Sequence, residues 1–286
     1  MKTLIEKLKQ EIVEQVKTDD EPTCIFLGGL PGSGKSNLEK QTKMQYPDKE
    51  FVVIDADEYR KYHPEFESLR KTPKEAVLKT CEIANQIESE LIAHSIECKK
   101  NIILVSTLRA TDAIREIIEQ QLKPKGYKVG ASIMAVPIYE SALSAQLRYE
   151  EQILNESQIP RFTSLSFIKD TNQKIANTIR ELDVNNRILD FTRVYKRGKN
   201  DKDLPELVYD SSMEDKRFRN TLEALIETEN VEGQKEVTID KIYTIKKLFE
   251  IGKARKATKE ELENISELYE YYSSKIELNR SGLDEK

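Results

Sequence analysis

Along the first sixteen residues Leu4, Ile5, Leu8, Ile12, Val13 and Val16 recur at helical spacing among charged neighbours, which predicts an amphipathic helix ahead of Pro22. A helix with one apolar side needs a surface to lie on. From residue 23 the pattern changes to short apolar, β-rich runs: TCIFLG at 23–28, FVVI at 51–54, NIILV at 101–105 and VGASIMAV at 129–136. Between and after them the spacing predicts helices over 35–44, 74–98, 112–123, 138–155 and 164–187. Continuous apolar strands alternating with helices call for a parallel sheet covered on both faces. DFTRVYK at 190–196 and LVY at 207–209 read as a last pair of strands, the first placed to extend the sheet.

Beyond Ser211 the alternation stops and highly charged helix takes over. Thr238 precedes the run IDKIYTIKKLFEI and Gly252 follows it, while Thr258 and Glu261 form a capping box for a helix reaching Asn279. Leu262, Ile265, Leu268 and Tyr269 supply its apolar stripe, and Tyr269, Tyr271 and Tyr272 suit packing better than base stacking. The chain thus divides into an α/β domain over 1–210, including the N-terminal helix, and a helical appendage over 211–286. The appendage is expected to serve stability or partner binding, leaving nucleotide binding to the first part. RSGLDEK reads as a frayed end.

Composition narrows the function classes. The 286 residues are 34% charged and 38% hydrophobic, with no apolar run near the ~20 residues that a spanning helix needs. The N-terminus lacks the uninterrupted apolar stretch of a secretory signal, so the expected address is the cytoplasm. Three widely spaced cysteines, Cys24, Cys81 and Cys98, fit reduced structural thiols; His63 has no second ligand near it in sequence and His94 sits on a helical stretch, so both are expected to be structural. The net charge of −5 offers no sequence-wide attraction for nucleic acid or anionic lipid. An anionic ligand must therefore be held by a local cluster.

Such a cluster is visible at Gly29-Leu-Pro31-Gly32-Ser33-Gly34-Lys35-Ser36, a full match to G-x-x-x-x-G-K-[ST] directly after the first strand and before the helical run Asn37-Leu-Glu-Lys. The glycines let the backbone wrap round phosphate oxygens so that N–H groups and a helix N-terminus point at the anion. Lys35 supplies a point charge to the β/γ-phosphates, and the Ser36 hydroxyl can ligate Mg²⁺. The second strand runs into Asp55-Ala-Asp57-Glu58, at the strand end where open α/β sheets bind ligands. A carboxylate there accepts a substrate hydroxyl's proton, holds metal-bound water, or merely caps the next helix; Asp57 is the candidate base. The third strand ends in Ser106-Thr107-Leu108-Arg109, suited to a polar substrate and a phosphate, with Thr111 and Asp112 in a helix-cap position. Arg148 and Arg161 bracket the polar stretch 155–159, either as a lid that stabilises a transferring phosphoryl group or as part of a solvated face.

In order and spacing, GGLPGSGKS, VIDADEYRKYHP, NIILVSTLRATD, GYKVGASIMAVP, LRYEEQ and PRFTSLSF, spread over residues 22 to 210, resemble the zeta toxin family of bacterial toxin–antitoxin systems. The resemblance implies a P-loop kinase fold and phosphorylation of the 3′-hydroxyl of UDP-N-acetylglucosamine at the expense of ATP or GTP with Mg²⁺. It also implies an antitoxin whose helix obstructs nucleotide binding. Carried over by position, it makes Lys35 and Ser36 the phosphate and Mg²⁺ residues and Asp57 the base. Thr107, Arg109, Asp55 and Glu88 (or Glu90) become substrate contacts, and Arg148 and Arg161 close on the nucleotide phosphates. Where the family reads Glu-Gly-Thr, this chain has Val105-Ser106-Thr107, so a carboxylate that holds the sugar nucleotide is absent. That leaves open another hydroxyl acceptor, or a catalytically decayed nucleotide-binding protein that acts through a partner.

Overall fold

The computed structural model describes residues 1–69, 73–154, 160–199, 203–213, 217–234 and 238–281. Strands β1 (Thr23–Gly28), β2 (Phe51–Asp55), β3 (Asn101–Val105), β4 (Lys128–Met134), β5 (Phe191–Lys196) and β6 (Glu206–Asp210) form one sheet in the order β2-β3-β1-β4-β5-β6. The first five are mutually parallel and β6 returns antiparallel along β5. Both faces of the central strands are apolar because both are covered. Ile25, Leu27 and Ile103 meet Leu38 of α2 (Lys35–Gln45) on one face. Cys24, Phe26, Ile102 and Leu104 face the opposite core, with α5 (Pro73–Glu97), α6 (Thr111–Glu116) and α8 (Leu165–Ile179).

The N-terminal helix α1 (Lys2–Leu8), whose winding continues through Val13, buries Ile5, Leu8 and Val13 and lies on α5, where Lys9 pairs with Glu90 at 3.1 Å. Two short helices, α3 (Ala56–Tyr59) and α4 (Phe66–Leu69), follow β2, and α7 (Ile138–Leu154) follows β4. The C-terminal helices are α9 (Thr221–Gly233), α10 (Ile239–Ala254) and α11 (Lys259–Ser281). Their Leu225, Ile245, Leu248, Ile265, Leu268 and Tyr272 join the same apolar cluster as the sheet.

Some expected details differ. Gly252 does not end a helix: it is buried inside α10, where a Cβ would come 3.2 Å from Leu262, so its small size admits α11. The chain turns instead near Lys256, at φ 59°. On α11 the stripe rotates one step, leaving Tyr269 38% exposed while Tyr272 is 1% exposed; Tyr271 stacks on Tyr139 with ring centroids 3.5 Å apart. The capping box forms, Thr258 N–H donating to Glu261 at 2.6 Å. No helix among the described residues is long and apolar enough to cross a membrane. Those residues also hold no cluster of three or more His, Cys, Asp or Glu able to bind a metal.

Candidate active site at the carboxyl edge of the sheet

Because β1 to β5 run parallel, their C-terminal ends all open on one edge, with the strand order setting the neighbours. The loop after β1 lies at the centre. Asp55 ends β2 and Thr107 follows β3 on one side, and the residues after β5 lie on the other. A cleft of about 1360 Å³ opens on the β2/β3 side and a smaller hollow of about 280 Å³ on the β4/β5 side. Gly32, Ser33, Gly34, Ser144, Arg148 and Glu151 line both, so the glycine loop sits at their junction.

The loop's geometry demands its glycines. Gly29, Gly32 and Gly34 have φ of 142°, 81° and 97°, and a Cβ on Gly32 would lie 2.6 Å from the Ser141 carbonyl and 2.7 Å from the Ala145 nitrogen of α7. Ser141 Oγ donates to the Pro31 carbonyl at 2.6 Å, tying the loop to α7. Gly34 is the N-cap of α2, so the helix's free N–H groups face the cleft. Lys35 folds back over the loop and donates from Nζ to the carbonyls of Gly29 at 2.9 Å and Leu30 at 3.0 Å. Burial, together with the neighbouring Arg148 and Arg161, pushes the Lys35 ammonium down to about 7, with Asp55 acting in the opposite direction. Ser36, on the first turn of α2, lines the cleft.

Facing the loop is a set of cations. Arg148 on α7 has its Nε buried without a hydrogen-bond partner among the described residues, and Arg161 donates to Asp57 Oδ2. Burial lowers the basicity of both guanidiniums, with Asp55 partly compensating. Three cations that repel one another around a glycine loop, one with an orphaned donor, make an arrangement whose charge a polyanion would balance. The intervening stretch 155–159, which the sequence reads as a lid, lies outside the described residues.

Across the cleft Asp55 performs the cap role considered from spacing, its Oδ1 accepting from the Asp57 N–H at 2.9 Å at the start of α3. Asp57 therefore projects from a fixed turn. Arg60 Nε donates to Asp57 Oδ1 at 2.8 Å, while Arg60 Nη1 is anchored on the Val77 carbonyl and Thr80 of α5. Burial holds the Asp55 carboxyl above its ordinary range, and burial plus Asp55 pushes Glu88 on α5 up to about 7. Glu88 lines the cleft, whereas Glu90 is turned toward Lys9. Thr107 and Arg109 line the same cleft, Arg109 over the ring of Phe167 at 5.0 Å. Thr111 caps nothing and instead exchanges a hydrogen bond with Thr178 at 2.8 Å. Val105 pairs in register with Asp55, so both side chains issue from the same face at neighbouring strand ends.

Sequence reasoning missed two arginines. One is Arg60, which fixes Asp57 from three residues away, a spacing that itself signals a helical ion pair. The other is Arg197, directly after β5. Its Nη2 donates to the Gly32 carbonyl and, at 3.0 Å, to Ser144, bracing the glycine loop from the β5 side. Its position after the last parallel strand was the available clue.

Comparisons with known proteins identify relatives of the chain as a whole. The profile of the family described as Zeta toxin matches residues 7–213. Toxin PezT of Streptococcus pneumoniae is 28% identical over 225 residues, covering 77% of this chain and 84% of PezT. Toxin zeta of Enterococcus hirae is 30% identical over 155 residues, and that match spans about half of each protein, 54% in both cases. Among solved structures, one described as the PezAT chromosomal toxin–antitoxin system of Streptococcus pneumoniae superposes with a TM-score of 0.67 at 24% identity, over 89% of this chain and 93% of that one. A native AvrRxo1-ORF1:ORF2 complex shares the fold at a TM-score of 0.52 and 14% identity. With the profile covering most of its 286 residues, the chain belongs to the zeta toxin family.

Proposed function

We propose that this zeta toxin family member transfers the terminal phosphoryl group of ATP or GTP to a hydroxyl of a nucleotide sugar, the 3′-hydroxyl of UDP-N-acetylglucosamine. It does so in the cytoplasm as the toxin half of a toxin–antitoxin pair. The observation that carries the reading is the juxtaposition of Lys35, Arg148 and Arg161 round the glycine loop with Asp57 ion-paired to Arg161. Phosphoryl transfer needs little beyond positioning, charge neutralisation and a proton acceptor. Backbone N–H groups of 29–36 and Lys35 would hold the nucleotide phosphates, and Ser36 would hold Mg²⁺, which would supply charge neutralisation at the transferring group. Arg148 and Arg161 stabilise that group from the opposite side. Asp57, steadied by Arg60, takes the acceptor's proton, while Thr107, Arg109, Asp55 and Glu88 orient the acceptor. The antitoxin partner is inferred from the relative described as part of the PezAT toxin–antitoxin system.

A second reading keeps the reaction and changes the acceptor. Val105 stands where the family's carboxylate would sit beside Asp55, so this wall of the cleft is less acidic than the family pattern implies. Incubating the purified chain with Mg-ATP and a panel of nucleotide sugars and other hydroxyl compounds, read by mass spectrometry, decides between the two. A gain of one phosphoryl group on UDP-N-acetylglucosamine supports the first reading, and a gain on another compound alone supports the second. No product from a folded chain that binds nucleotide rejects both.

A further inference from the structure

Helices α10 and α11 lie beyond the family match, yet a buried polar network leads from them to both arginines. Arg255, just past α10, grips Glu150 of α7 in a two-pronged pair, Nε to Oε2 and Nη2 to Oε1, each at 2.8 Å. It also reaches Glu261 of α11 at 3.3 Å, and Glu261 in turn accepts a hydrogen bond from the Tyr149 hydroxyl. Asn264 of α11 accepts from the Leu165 N–H at 2.6 Å and donates to Gln146 of α7 at 3.1 Å. Gln146, Tyr149, Glu150, Glu261 and Asn264 are all at most 6% exposed.

The bonded α7 positions, 146, 149 and 150, surround Arg148 in sequence. Two residues further on, Gln152 accepts the backbone N–H of Arg161 at 3.0 Å, and the ring of Phe162 packs edge-on against Tyr149 at 5.5 Å. The backbones that carry the two arginines are therefore held through the same few side chains that α11 and Arg255 hold. A buried charged network is a poor way to gain stability, because desolvation cancels most of its attraction, but it selects one geometry.

We infer that Arg255, Glu261 and Asn264 are positioning residues: they set α7 and the start of α8 so that Arg148 and Arg161 meet the terminal phosphate of a bound nucleotide. The C-terminal helices thus complete the phosphoryl-transfer site, a role that rests on the nucleotide-site reading above and goes beyond it.

The test is the ratio of diphosphate to triphosphate dissociation constants, using ADP and a non-hydrolysable ATP analogue, in the full chain. The glycine loop and Lys35 serve both ligands, whereas the arginines add to the triphosphate alone. Replacing the buried ions together, Glu150→Met with Arg255→Met and Glu261→Gln, avoids stranding a charge. ADP affinity should stay within about two-fold while the ratio falls roughly ten-fold, about the worth of one charge-assisted hydrogen bond. Arg255→Lys, which keeps the charge and loses the two-pronged grip, should fall in between and supplies the reading if the triple variant does not fold. A folded variant with the parent's ratio overturns the inference alone. A parent that binds neither nucleotide overturns the nucleotide site and this inference together.

Discussion

Lys35 offers a test that depends on proton counting. In the protein by itself its ammonium sits at about 7, because it is buried beside Arg148 and Arg161. Phosphate oxygens placed next to it reverse that imbalance and return the group toward an ordinary lysine value of ~10.4. At pH 8 a group of pKa about 7 is some 90% deprotonated, so nucleotide binding should take up ~0.9 proton at Lys35. The bound-state pKa is the higher one, so Lys35's contribution to affinity is complete below pH 7. It declines by about ten-fold per pH unit above 7, until the bound-state value is reached. Isothermal titration calorimetry in buffers of different ionisation enthalpy reads the uptake directly, with a non-hydrolysable triphosphate as ligand. The nucleotide's own phosphate also titrates near neutrality, so the quantity of interest is the difference between parent and Lys35→Met. Glu88, also near 7, is controlled with Glu88→Gln. Equal proton uptake by parent and Lys35→Met at pH 8 would show that phosphate does not relax the cation cluster.

Other outcomes follow from the same geometry. Asp57→Asn should lower the turnover of phosphoryl transfer by about 10² to 10⁴ while leaving nucleotide affinity within a few fold, and Asp55→Asn should do less; steady-state kinetics showing the reverse order would exchange their roles. Gly32→Ala, forced to a φ of 81° with its Cβ 2.6 Å from the Ser141 carbonyl, should abolish nucleotide binding and cost about 1–3 kcal/mol, visible as a fall of several degrees in Tm. Glu150→Gln removes one of the two carboxylates on Arg255, leaving Glu261, and should cost about 1.5–3 kcal/mol in denaturant unfolding, where an exposed pair would cost under 1 kcal/mol.

Much of this site is local in sequence, and that part is legible there. The glycine loop can be read because its chemistry needs eight consecutive residues between a strand and a helix, and Asp57 because a strand end announces itself by an apolar run stopping at carboxylates. The strand order is different. β3 inserts between β1 and β2, an arrangement set by the packing of helices on two faces, and no local pattern records it. Arg148 and Arg161 stand out only as arginines on a polar stretch; what makes them a pair is the fold that brings Arg161 to Asp57, 104 residues away. The Arg255–Glu150 pair is equally remote, at a separation of 105, and hides among many surface charges of the same types. Gly252 misleads because a glycine that admits a neighbouring helix looks, in sequence, like one that ends its own.

Asp57 and the loop–arginine cluster are proposed to act together on one acceptor hydroxyl. The most direct measurement is ³¹P NMR of the full chain with Mg-ATP and UDP-N-acetylglucosamine, run in parallel with Asp57→Asn. The parent protein should give a new phosphomonoester resonance coupled to the sugar's H3, and the variant should give none. Intact ATP, or conversion to orthophosphate without any sugar-bound phosphate, would contradict it.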